Sequence, residues 1–179
     1  MAIAAPLNRF SHQLFSLLEK FLTRFERKSD SADRLPSSIG STEWLIFGMG
    51  RTGLAAYLGL IRQNLRVLGL DADPVILENL LADGRRVIYG DVEDSELWEK
   101  IPLEKIKGII LTMPEFEVRC FAIKQLTQRQ FSGQIGTVCF DQNEEQQLQQ
   151  LGANFIVHPL LEAGNKLVEQ MLDTTNIPD

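Results

Sequence analysis

The sequence predicts an α/β domain: a doubly wound sheet of six parallel strands with helices on both faces. Three observations predict it. From residue 42 to the end, short apolar runs alternate with segments that carry helix start and stop signals. The runs are near-continuously apolar, as strands covered on both faces are. The first run, Trp44-Leu45-Ile46-Phe47, breaks directly into Gly48-Met49-Gly50-Arg51-Thr52-Gly53, a strand-to-helix turn. Six strands in this rhythm imply the order 3-2-1-4-5-6, with a ligand crevice outside the carboxyl ends of the first and fourth strands.

The elements follow in order. Residues 1–28 form a unit of their own, with Leu7, Phe10, Leu14, Leu17, Leu18, Phe21, Leu22 and Phe25 at spacings of three and four. Arg9, Gln13, Lys20, Arg24, Arg27 and Lys28 occupy the other face, so the spacing predicts an amphipathic helix with a basic tail. Three roles are open to it: packing on its own domain or a second subunit, lying on a membrane surface, or continuing a membrane segment outside this chain. Residues 29–41 are small, polar and rich in proline and glycine, and read as a linker. Residues 42–179 make the α/β domain, with strands expected at 43–47, 66–70, 86–89, 108–112, 134–140 and 154–157. A helix is expected from Arg51 to about Gln63. Asp73-Pro74 supplies an N-cap and a proline for the first helical position, and Gly84 ends that helix. Pro114 is expected to open a helix over 114–130, with Gly133 beyond its end. Asp141 with Glu144 reads as a capping pair for a helix closed by Gly152.

A glycine-rich turn that opens a helix is suited to an anionic group, because the helix start presents unpaired amides and partial positive charge. Gly48 permits the tight turn, Gly50 lets a pyrophosphate approach the backbone, and Gly53 lets the helix pack close on the sheet. The second strand delivers Asp71, which lies 18 residues beyond Gly53. A carboxylate at about 20 residues is the usual partner of a ribose hydroxyl, and it disfavours a 2′-phosphate by like-charge repulsion. The pattern is that of a Rossmann-like nucleotide site.

Composition narrows the class. The chain has 179 residues, 44% of them hydrophobic and 23% charged, enough for one domain plus an appendage. A net charge of −6 argues against nucleic acid as the main partner. Cys120, in a helical stretch, and Cys139, in a strand, make no metal spacing and read as buried free thiols in a reducing compartment. No apolar run reaches the ~18 residues that would span a bilayer.

Several groups converge on the carboxyl edge. Arg51 either forks onto a phosphate or is a solvated first-turn arginine. Asp91, after the third strand, either meets an adenine amino group or caps a helix that begins near Ser95. Thr112, at the end of the fourth strand, either offers its hydroxyl to a ligand or merely ends the strand. No catalytic constellation accompanies them: His12 and His158 are the only histidines, and there is no Tyr-x-x-x-Lys, serine elbow, Cys–His pair or metal-ligand cluster. A nucleotide site without an acid–base pair suggests sensing, in which binding shifts a conformational population. The alternative is the cofactor domain of an NAD-dependent oxidoreductase whose acid and base come from a partner chain.

From about Glu43 to Leu172 the sequence resembles the KTN, or RCK, nucleotide-binding regulatory domain of bacterial potassium channels, Trk-type uptake systems and Kef-type antiporters. The resemblance rests on Ile46–Gly53, Val67–Asp71, Val87–Asp91 and Leu151–Pro159. The arginine in the glycine loop and the basic lead-in look most like the Kef branch. The resemblance implies binding of NAD(H) or AMP, dimerisation through late helices, and a membrane cation transporter or channel as partner at the cytoplasmic face. It implies phosphate at Gly48, Gly50, Arg51 and Gly53, ribose at Asp71 and adenine at Asp91. The full set of candidate contacts adds Met49, Thr52, Ala72, Val92 and Thr112. Val92 stands where the family has alanine, and Thr112–Glu117 lacks the family's acidic pair and later asparagine. The nicotinamide-side contacts and any glutathione site are therefore left open.

Overall fold

The structure is a computed structural model that describes Ile39 and residues 41–174. The expected amphipathic stripe of residues 1–28, and the linker apart from Ile39 and Ser41, lie outside the described residues. The strands are β1 (Trp44–Phe47), β2 (Val67–Asp71), β3 (Val87–Tyr89), β4 (Gly108–Leu111), β5 (Gln134–Val138) and β6 (Phe155–Val157). The helices are α1 (Arg51–Arg62), α2 (Pro74–Ala82), α3 (Ser95–Lys100), α4 (Phe116–Gln128), α5 (Gln142–Leu151) and α6 (Pro159–Thr174), with a 3-10 turn at Leu103–Lys105. All strand pairs are parallel and the order is β3-β2-β1-β4-β5-β6, as the sequence predicts.

Burial explains the layers. Consecutive residues of a strand face opposite sides of the sheet. In β1, Ile46 joins Met49, Tyr57, Val67, Leu77, Leu80 and Val87 in a core under α1 and α2. Its neighbour Phe47 turns the other way and stacks on Trp98 of α3, with ring centroids 5.2 Å apart. The central strands therefore have no wet face, which is why they show no polar alternation.

Helix starts follow local chemistry. The Asp73 carboxylate accepts from the Val75 amide at 2.8 Å, with Pro74 at the first position of α2. Asp141 caps α5 from the Asn143 amide at 2.9 Å, and Gly152 ends it at φ +117°. Glu144 does not complete the expected capping pair, because its carboxylate turns to Arg119 instead. Nor does Pro114 open α4, which starts two residues later. The Pro114 carbonyl accepts from Arg119 Nη1 at 2.7 Å, and this keeps the residue in the turn. β5 stops at Val138, so Cys139 sits one residue past the strand rather than within it. Burial pushes the Cys120 and Cys139 thiols up, which makes both weak nucleophiles at neutral pH.

One element stands apart from this packing. Every described side chain of α6 from Leu160 to Asp173 is exposed, and Leu160, Leu167, Val168, Met171 and Leu172 form an apolar stripe along it.

Candidate functional site

The central strands end at one level. Phe47 lies opposite Leu70 of β2 and Leu111 of β4. The next residues of the three strands, Gly48, Asp71 and Thr112, therefore meet at the switch point of the sheet, the default ligand position of a doubly wound fold. Asp71 in turn pairs with Tyr89 of β3, which places Gly90 and Asp91 just beyond.

The glycine turn is constrained at two points and open at a third. Gly48 has φ +83°, and a Cβ there would stand 2.9 Å from the Met113 nitrogen. A Cβ on Gly53 would stand 1.9 Å from the Gly48 carbonyl oxygen, so only glycine lets α1 begin this close to β1. At Gly50 nothing lies within 4 Å of a Cβ position, and an incoming group has access to the main chain.

Asp71 is tied to that turn. Its Oδ2 accepts from the Met49 amide at 2.5 Å, and its Oδ1 accepts from the Asp73 amide at 2.8 Å. A carboxylate offers about four lone-pair sites, so both oxygens keep capacity for a hydroxyl donor. The Thr112 hydroxyl donates to the Gly48 carbonyl at 2.5 Å and the Phe47 carbonyl at 3.1 Å. Its proton is thus spent on holding the glycine turn and is not offered to a ligand.

The other candidates divide by burial. The Met49 and Val92 side chains are buried, so only their main chain can face the crevice. Met49 packs its thioether where a Cβ on Gly69 would stand, and the Val92 carbonyl accepts from Trp98 Nε1 at 2.7 Å. Ala72 is exposed beside Asp71, and Thr52 is half-buried in the first turn of α1. Arg51 is exposed at the start of α1 and makes no ion pair among the described residues. Asp91 does not cap the next helix: its Oδ1 accepts from the Glu93 amide at 2.9 Å, while Asp94 caps α3 from the Glu96 amide at 2.9 Å. No hydrogen bond joins Asp91 to the glycine turn among the described residues.

Helix starts at this edge differ in one respect. Asp73, Asp94 and Asp141 satisfy α2, α3 and α5. α1 begins at Gly50 with no side-chain cap and no acidic residue in its first turn. Its first amides have no partner within the helix and carry the positive end of its dipole. This arrangement can bind an anionic group on the amides and a hydroxyl on Asp71, side by side.

Sequence reasoning missed Arg119. Its guanidinium is fully buried behind the β4 turn. Nη1 donates to the Met113 and Pro114 carbonyls, both at 2.7 Å, and Nη2 pairs with Glu144 Oε2 at 2.7 Å. The Phe140 ring lies 5.2 Å from its charge centre. The available signal was its place on the same helical face as Ile123 and Leu126, where a cation interrupts an apolar stripe.

Comparison with known proteins places this site in a family. The TrkA-N domain model matches residues 44–159. The chain belongs to the TrkA-N domain family. The TrkA-N match runs from the first residue of β1 to the first of α6, so it takes in all six strands and the whole switch point. A probable potassium channel protein 2 of Methanocaldococcus jannaschii is 27% identical over 167 residues, which cover 87% of this chain and 47% of that protein. The chain thus spans about half the length of that relative. The TrkA-N domain of the inner membrane protein ybaL from Escherichia coli superposes with a TM-score of 0.63 at 20% identity, over 73% of this chain and 96% of that one. The Kef CTD of Shewanella denitrificans in AMP-bound form gives 0.63 at 16% identity, over 76% and 82%. At these identities the two structures establish the fold.

Proposed function

We propose that this TrkA-N domain binds an adenine nucleotide, NAD(H) or AMP, and that binding regulates a potassium or other cation transport system in the cell membrane. One observation carries the reading: the uncapped start of α1 stands beside a carboxylate already fixed to the same turn. The α1 amides and Arg51 take phosphate, Asp71 takes the ribose hydroxyls, and the adenine lies toward Asp91. The open position at Gly50 fits a phosphate oxygen against the main chain. The negative charge of Asp71 selects against a 2′-phosphate. The AMP-bound Kef CTD and the potassium channel relative support both halves of the reading.

The regulatory step is differential affinity. A nucleotide that prefers one arrangement of the domain by ~1–3 kcal/mol transmits that preference to a membrane partner, from the cytoplasmic side. The domain acts as a sensor and carries out no reaction of its own. A homodimer is part of the proposal, with the bare apolar stripe of α6 as the surface to be covered.

Titration calorimetry with AMP, NAD and NADH tests the site. Gly50→Val blocks the approach to the main chain, and Asp71→Ala removes the ribose acceptor. Each is expected to weaken binding at least ~10-fold, about 1.4 kcal/mol, with the circular dichroism of the wild type preserved. Unchanged affinity in both variants would overturn the proposal.

A further inference from the structure

We propose that Tyr89 grips the base of the nucleotide, with its ring lying against the face of the adenine. The inference rests on the nucleotide reading above and adds a contact that the glycine turn, Asp71 and Asp91 do not supply.

Tyr89 is the last residue of β3 and pairs in register with Asp71. Ile46, Gly69 and Val87 are in register as well, and Ile46 and Val87 share the core under α1 and α2. Asp71 and Tyr89 stand two residues further along β2 and β3, so both lie on that same face of the sheet. Adjacent strands run ~4.8 Å apart. The Gly90 amide donates to the Asp71 carbonyl at 3.1 Å, which ties the two strand ends together. A ribose held by its hydroxyls at Asp71 therefore has Tyr89 one strand away, on the side where the adenine runs toward Asp91.

The ring is available. Tyr89 is 50% exposed, and β3 is a border strand, so no further strand covers it. Its hydroxyl makes no hydrogen bond, and its ring no aromatic or cation contact, among the described residues. Tyr57, by contrast, is buried, and its hydroxyl accepts from the Arg86 amide at 3.0 Å. Two other aromatic side chains among the described residues are exposed, and neither is placed to serve. Phe155 opens β6 at the edge where the strands begin, and Phe140 lies against the Arg119 guanidinium. Ala72 and Val75, just past Asp71, are exposed too, so this corner is apolar beside its two carboxylates.

A tyrosine suits the task because it offers a broad face and has only two side-chain torsions to fix. Stacking on an aromatic ring is indifferent to the identity of the base, since every base has a π-face. Tyr89 thus supplies grip, and the choice of a base with an amino group falls to Asp91, two residues on.

Titration calorimetry with AMP on wild type, Tyr89→Ala and Tyr89→Phe tests the contact. Tyr89→Ala is expected to bind AMP about 10-fold more weakly, within the range that base stacking supplies, and Tyr89→Phe to bind as wild type. Ribose 5-phosphate, which carries the sugar and phosphate without a base, is expected to shift the thermal melt of wild type and Tyr89→Ala equally. Undiminished AMP binding by Tyr89→Ala, an equal loss in Tyr89→Phe, or a smaller ribose 5-phosphate shift in Tyr89→Ala would each overturn the contact and leave the nucleotide site standing. No AMP binding by wild type would overturn the contact together with the nucleotide reading.

Discussion

The turns after β1 and β4 occupy matching positions on either side of the switch point, and the chain uses them in opposite ways. Each leads into a helix whose start lacks a side-chain cap. After β1 the turn is stripped to glycine, the first amides of α1 have no partner within the helix, and its one charged side chain, Arg51, is exposed. After β4 the turn is filled from inside, because Arg119 reaches back and takes the Met113 and Pro114 carbonyls. A doubly wound sheet supplies two comparable openings. In this protein one arginine satisfies the second and leaves the first for a ligand. The two are also joined, since Thr112 at the end of β4 holds the Gly48 carbonyl.

Three substitutions probe this difference. Arg119→Met is expected to be the most damaging, because it strands Glu144 and two carbonyls that have no other partner in the turn. Removing one member of a buried ion pair costs about 3–5 kcal/mol, and a denaturant melt would register it. A loss below ~1 kcal/mol would mean that the β4 turn does not depend on its arginine. Gly53→Ala comes next: its Cβ must displace the Gly48 carbonyl, at an overpacking cost of about 2–3 kcal/mol. It is expected to lower nucleotide affinity as well, since the start of α1 moves with that carbonyl. The mildest is Thr112→Val, which keeps the shape and removes the hydroxyl. It is expected to cost about 1 kcal/mol and to weaken the nucleotide a few-fold. Full nucleotide affinity in this variant would show that the two turns act independently.

The parts legible in the sequence were those set by local chemistry. Glycine at 48 and 53, aspartate at 73 and 141, and unbroken apolar strands each have a cause within a few residues of themselves. Strand order followed because parallel strands with intervening helices leave few topologies. What the sequence hid depended on groups distant along the chain. Glu144 reads as a capping residue until Arg119, 25 positions earlier, is seen beside it. Thr112 reads as a free hydroxyl until the register brings it beside Gly48, 64 residues away. Pro114 looks like a helix opener because nothing near it indicates that its carbonyl is already engaged. Asp91 was open to two readings, an adenine contact or a helix cap, and the structure removes the second, because Asp94, three residues on, caps α3.

The sheet is bordered by its two shortest strands, β3 and β6, with three residues each. A stray strand laid alongside either would gain only a bond or two before running out of backbone to match. Phe155 and Val157 stand bare on one of these borders and would otherwise invite such growth. Short margins leave an incoming strand little backbone to pair with, so the sheet limits edge-to-edge growth by length and not by charge.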